Sequence, residues 1–233
     1  MRAWERARIE LRQSLTNPGD LFNHCFWPAL MLVTLWFLRD RAELLPSILG
    51  MNAAMAMVTM SQHLTADRED GTLLRARATP NGVRAYLAGK VISVAATVLI
   101  DLAIFLVPAL FIVSTKTVNG GTVAWVLALG LLATLPLGAI LGTLFPTARG
   151  QGLLTLPVLA VIGISGIFYP ITMLPGWVQA TAQAFPVYWM GLGMRAAFLE
   201  SPGAPAGIVA VLGAWAVGGL VLAPFVLRRS LTP

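Results

Sequence analysis

The sequence predicts an all-α membrane protein with six transmembrane helices. An interfacial helix precedes the first span, a charged cytoplasmic helix follows the second, and a re-entrant outer segment joins the fifth to the sixth. Three observations carry this prediction. The 233 residues are 57% hydrophobic and only 11% charged, with mean hydropathy +0.78. A soluble domain is about one-quarter charged. Apolar runs recur at the length of a helical span, about 20 residues. The cationic side chains gather in the breaks on one side.

Residues 1–20 begin the chain. Glu5 and Glu10 stand among the arginines, and there is no apolar core of the kind a signal peptide has. Trp4, Ala7, Leu11 and Leu15 share one helical face, while Arg2, Arg6, Arg8 and Arg12 occupy the rest. That pattern suits a helix lying on membrane lipid. Asn17-Pro18-Gly19-Asp20 then turns the chain.

The expected spans cover residues 21–38, 44–64, 86–113, 122–144, 152–169 and 205–227. Six spans put both termini on one side. With that side cytoplasmic, twelve of the sixteen Lys and Arg lie there, as the positive-inside rule requires. The net charge of +6 then follows from topology, and no nucleic-acid partner is needed. One transmembrane domain fills residues 1–233, leaving no room for a soluble catalytic domain.

Several residues stand out within the spans. Cys25, the single cysteine, excludes an internal disulfide and reads as a small core residue. Lys90 is expected to snorkel toward the headgroups. Gly138 with Gly142, and Ala214 with Gly218, are spaced for close helix packing. Asp101 falls near the middle of the third span, where a carboxylate must face the bundle interior or water. It is either a proton or substrate site or a protonated, hydrogen-bonded structural residue. His24 and His63 lie near span ends and read as packing or interface residues.

Residues 170–190 are too broken by proline for a span. Trp177, Tyr188 and Trp189 suit an interface. Two short helices dipping into the outer leaflet fit this stretch, and irregular backbone at that depth must pack on protein or line a cavity.

Other chemistries fail on their required residues. Neither lysine, Lys90 or Lys116, sits in a phosphate-binding loop, so this chain does not bind ATP by that route. No His/Cys cluster suggests a metal. Gly163-Ile164-Ser165-Gly166 matches the serine motif of rhomboid proteases in form. The activating histidine there comes later in the chain, whereas His24 and His63 both precede Ser165. Ser165 reads instead as a helix kink or part of a pathway wall. No catalytic residue is expected.

The charged island at residues 66–84 is the place for a soluble partner. Asp67, Glu69 and Asp70 precede Arg75 and Arg77, the order that suits a helix dipole. A short helix from about Arg68 to Ala78, stopped by Pro80, is expected. Its leucines call for a groove on a partner.

Arg68-Glu69-Asp70-Gly71-Thr72-Leu73, running to Thr79-Pro80, resembles the segment after the second span of type-2 ABC exporter permeases. Ser165-Gly166-Ile167-Phe168-Tyr169-Pro170, followed by Met173-Leu174-Pro175-Gly176-Trp177, resembles the stretch after the family's fifth span. Leu74 stands where the family usually has Glu, and Ala76 where it usually has Leu. The order of features agrees along the whole chain, and the likeness in composition leans toward antibiotic-resistance permeases.

The resemblance implies two copies of this chain, a homodimer, working with two ABC ATPase subunits that hold the ATP and Mg. It makes Asp67, Arg68, Glu69, Gly71, Thr72, Leu73 and Arg75 the ATPase-coupling residues. Asp101, Ser165, Phe168, Tyr169, Pro170 and Trp177 are the candidates for the pathway or its gate. The expected cargo is an amphipathic drug, antibiotic or lipid-like molecule, and the location is the cell membrane. A proton-coupled secondary transporter using Asp101 is the alternative.

Overall fold

Apolar sequence without β-branched alternation or hairpin signals folds as helix when the backbone must satisfy itself, as it must in lipid. The computed structural model describes residues 3–38, 40, 43–78, 82–113, 118–145, 147–169, 171–199 and 205–230, and it is helical with no strand among them. In chain order the helices are α1 (Ala3–Thr16), α2 (Pro18–Phe37), α3 (Leu44–Glu69), α4 (Thr72–Arg77), α5 (Gly82–Ile112) and α6 (Gly120–Leu144). After these come α7 (Ala148–Ile164), α8 (Gly176–Ala184), α9 (Pro186–Phe198) and α10 (Pro205–Arg229), with a 3₁₀ turn at Ile171–Met173.

A helix occupies each of the six segments expected to span. Four of them, α3, α5, α6 and α10, are long and apolar enough to cross a membrane. The apolar stretches of α2 and α7 are shorter, His24–Phe37 and Arg149–Ile164.

Local signals set the ends. Asn17, Asn119 and Thr147 cap α2, α6 and α7 by accepting the amides of Gly19, Thr122 and Gly150. Pro18 fills the first turn of α2, where its missing N–H costs nothing. The expected fifth span is cut short. It ends at Ile164, and Gly166 adopts φ +68 just beyond the Ser165 cap, the left-handed conformation that closes helices at glycine.

The central helix is α3, with 72% of its apolar window buried, against 28% for α5 and for α10. It packs on α6, α9, α5 and α7. Lipid removes the hydrophobic drive between spans, so close packing must hold them. Gly138 and Gly142 supply it on α6. A Cβ on Gly138 would sit 2.2 Å from the Met57 carbonyl oxygen of α3. At Gly142 it would meet Leu64 and Ser61 at 3.1 Å. The expected pair on α10 is one step out of register. Ala214 is exposed and nothing lies within 4 Å of a Cβ on Gly218. It is Gly219 that meets Pro136 of α6, at 2.9 Å.

Two further expectations change. Cys25 is exposed, because α2 packs on α5 along the face of His24, Pro28 and Leu35, and Cys25 points the other way. The outer segment does form two short helices, but the second is no surface feature. Met190 and Met194 of α9 are fully buried, and α9 packs against α3, α6 and α10. Trp189 Nε1 donates to Gln183 O at 2.7 Å and Trp215 Nε1 to Ala184 O at 2.9 Å, which ties α8 to α9 and α10.

Candidate functional site

The charged island is not one helix. α3 carries on past the expected end of the span, through Asp67 to Glu69. Gly71 then turns the chain at φ 69, and α4 follows. A Cβ there would touch nothing within 4 Å, so the left-handed backbone is the reason for glycine. Arg75 staples the turn: its Nη2 donates to Asp70 O at 3.3 Å and to Thr72 Oγ1 at 3.2 Å.

The coupling candidates divide between two faces. Leu73 is fully buried, and Ala76 is buried beside it, which fastens α4 to the helical body. Arg68 reaches back to Ser230 Oγ at 3.2 Å. Glu69, Asp70, Leu74, Arg75 and Arg77 are exposed. Thr72 is half-buried. Leu74 is the apolar member of that outward face, 57% exposed and surrounded by charge. The resemblance did not place it among the coupling residues.

Asp67 points inward. The Tyr86 hydroxyl donates to its Oδ2 at 2.5 Å, and Lys90 Nζ lies 2.8 Å from the same oxygen. Lys90 does not snorkel: its side chain is 5% exposed and it also meets Glu10 Oε2 at 3.2 Å. Ser93 Oγ donates to that Glu10 oxygen at 2.7 Å. One lysine of α5 thus joins a carboxylate of α1 to a carboxylate at the end of α3. Burying these charges is expensive unless they are paired and hydrogen-bonded, and here they are. The signal for this was Lys90 itself, a cation inside an apolar helix that demands a partner.

A second constellation lies around the turn after α7. Ser165 is buried at the C-cap of α7, and its hydroxyl donates to Ile162 O at 2.6 Å. Tyr169 donates to Gly163 O. Phe168 and Trp177 are 44% and 75% exposed, so neither closes a sealed cavity within one chain. Pro170 lies outside the described residues. Arg195 of α9 organises the turn, donating to Gly166 O, to Ile167 O at 2.6 Å and to Tyr169 O at 3.4 Å. Its own Nε is buried without a partner among the described residues. Ser47 Oγ, in the first turn of α3, donates to Ile167 O at 2.5 Å. The start of α3 and the turn after α7 are therefore bonded directly.

Asp101 has a partner that the sequence did not name. His24 Nδ1 of α2 lies 2.5 Å from its Oδ1, with side-chain exposures of 11% for His24 and 36% for Asp101. The pair ties α2 to α5. Asp101→Asn keeps an acceptor for a neutral imidazole and should cost about 1 kcal/mol or less. Asp101→Lys sets a cation against the ring and should cost at least about 2 kcal/mol. Thermal melts of the two purified variants check the order, and equal losses would show that the carboxylate charge itself is needed.

These features define a multi-pass helical membrane protein with a charged segment displayed at one end of its central helix. Among the described residues no group of His, Cys, Asp and Glu could hold a metal ion. The chain belongs to the ABC-2 type transporter family, whose model matches residues 4–199. It is therefore a transmembrane subunit of an ABC transporter, a transport component and not itself catalytic, of a family whose permeases work with ATPase subunits. No curated protein sequence matches the chain.

Proposed function

We propose that this subunit forms the translocation pathway of an exporter for an amphipathic drug, antibiotic or lipid-like molecule. A separate ATPase chain, which binds the ATP and Mg, drives it. The ATPase docks on the outward face of Glu69, Asp70, Leu74, Arg75 and Arg77. The observation that carries this reading is the exposed Leu74 on a short helix whose other apolar residues are fastened inward. An isolated leucine ringed by charges of both signs fits the centre of a polar-rimmed protein contact.

On this reading all six long or shorter apolar helices cross the membrane, and both termini and α4 face the cytoplasm. Two copies of the chain assemble. The outward face of α7, with Leu153, Leu156 and Leu159 exposed, is available to the second copy. The segment from Ile171 to Phe198 covers the exit side. Twelve of the sixteen cations on the side of α4 support the orientation.

Leu74→Asp and Glu69→Arg test the dock, because both are exposed and neither holds the fold. In vesicles containing the permease with its co-purified ATPase, either change should lower substrate-stimulated ATP hydrolysis about tenfold or more, as expected for a central contact worth about 2 kcal/mol. Expression and melting should stay as in the parent. Undiminished stimulation in both variants would remove this face as the dock.

A further inference from the structure

An apolar groove of about 690 Å³ runs between α5 and α10. Its two walls are antiparallel and end alike. On α5 it passes from Arg84 through Ala88 to Ile92, and on α10 from Arg228 through Phe225 to Val221. The two arginines thus stand at the same end, and beyond them the lining is aliphatic or aromatic. The eight helical rises from Arg84 to Ile92 make it about 12 Å long.

The two arginines differ from the other cations near this end. Arg68 is held by Ser230, Arg75 by Asp70 and Thr72, and Lys90 by Glu10 and Asp67. Arg229 lies over the Phe225 ring, 4.3 Å from its centroid. Arg84 and Arg228 are exposed, and among the described residues no carboxylate or hydroxyl reaches either guanidinium. Two unanswered guanidinium groups at the mouth of an apolar trough match an anionic head on an apolar tail. Guanidinium is also the group best shaped for bidentate binding of phosphate.

We propose that this groove binds one anionic phospholipid, with its phosphate between Arg84 and Arg228 and an acyl chain along Ala88, Ile92 and Val221. A second copy of the chain is a poor occupant. Self-association across this groove would bring arginine against arginine in a protein whose net charge is already +6. The site lies beside the coupling segment. Arg84 is in the first turn of α5, and Ser230, next to α10, holds Arg68. A bound lipid therefore braces α5 against α10 at the end of the body that carries α4. The binding claim does not depend on the exporter reading.

The test uses the full-length chain in detergent and native mass spectrometry. The probes are phosphatidylglycerol, phosphatidylcholine and inorganic phosphate. The parent should retain one phosphatidylglycerol in preference to phosphatidylcholine. The double variant R84Q/R228Q should bind phosphatidylglycerol about thirtyfold more weakly, the loss of two surface cations. Ala88→Trp, which fills the trough and leaves both arginines, should weaken it as well while melting like the parent. Unchanged binding in both variants overturns the proposal. So does equal retention of phosphatidylcholine, which marks ordinary boundary lipid, or saturation by inorganic phosphate alone, which marks a bare anion site. Disulfide cross-linking between copies through a cysteine at position 88 would assign the groove to a chain–chain interface and overturn it too.

Discussion

Gly138→Ala should be the most damaging single methyl that can be added to this protein. The new Cβ would lie 2.2 Å from Met57 O and 2.8 Å from Met57 C and Cα. All three are backbone atoms of a neighbouring helix, so no rotamer change relieves the clash. The α3 and α6 axes must move apart at this crossing. Overpacking usually costs about 1–3 kcal/mol, and a backbone clash belongs at or above the top of that range. Gly218→Ala is the matched control, because nothing lies within 4 Å of the added atom. There the gain in helix propensity of about 1 kcal/mol should leave stability equal or higher. Thermal melts in detergent compare the two, and parallel curves would show that α3 and α6 do not meet at this glycine.

Lys90→Met should be at least as costly for an electrostatic reason. The methionine fills the stem volume but leaves Glu10 and Asp67 facing each other at 21% and 16% exposure. Removing one partner of a buried ion pair typically costs about 3–5 kcal/mol, most of it from the charges left behind. The origin can be separated from packing by a second variant. Lys90→Met combined with Glu10→Gln and Asp67→Asn removes the two carboxylate charges as well and should recover more than half of the loss. If the triple variant melts as low as the single one, the lysine acts through shape and not charge. If the single variant melts like the parent, the three side chains do not form the cluster.

The elements were legible because apolar length and polar breaks set where a helix can run. The outer segment and its two short helices were legible from Pro175 and Pro186, which start helices where they cannot continue them. Helix faces were much less so. In α5 and α6 nearly every position is apolar, so periodicity does not say which side packs on protein and which on lipid. The same holds for the apolar stretches of α2 and α10, so the sequence puts Cys25 in the core and the close contact of α10 at Gly218, whereas Cys25 is exposed and the close approach is at Gly219. The polar ties were hidden for another reason. Glu10 and Lys90 are 80 positions apart, and His24 and Asp101 are 77. No local pattern connects residues so distant. What the sequence did show was a cation or anion stranded in an apolar run, and such a residue predicts a partner without naming it. Arg195 in α9 is the same kind of signal. The charged segment was legible but its division into two helices was not, because a helix can run on past an apolar stretch without a break and the chain supplies its first stop only at Gly71.

The unbroken run of α3 has one more consequence. Its 26 residues make a rod about 39 Å long, bonded at Ser47 to the turn that Arg195 holds and ending at the charged segment proposed as the ATPase dock. Two ligands that bias one stiff element obey thermodynamic reciprocity. If docking of the ATPase shifts the turn after α7, a molecule bound at that turn must alter the docking affinity by the same factor. Cargo then acts as an assembly effector, and a dissociation constant measured with the nucleotide held fixed should report what the transporter carries before any transport takes place.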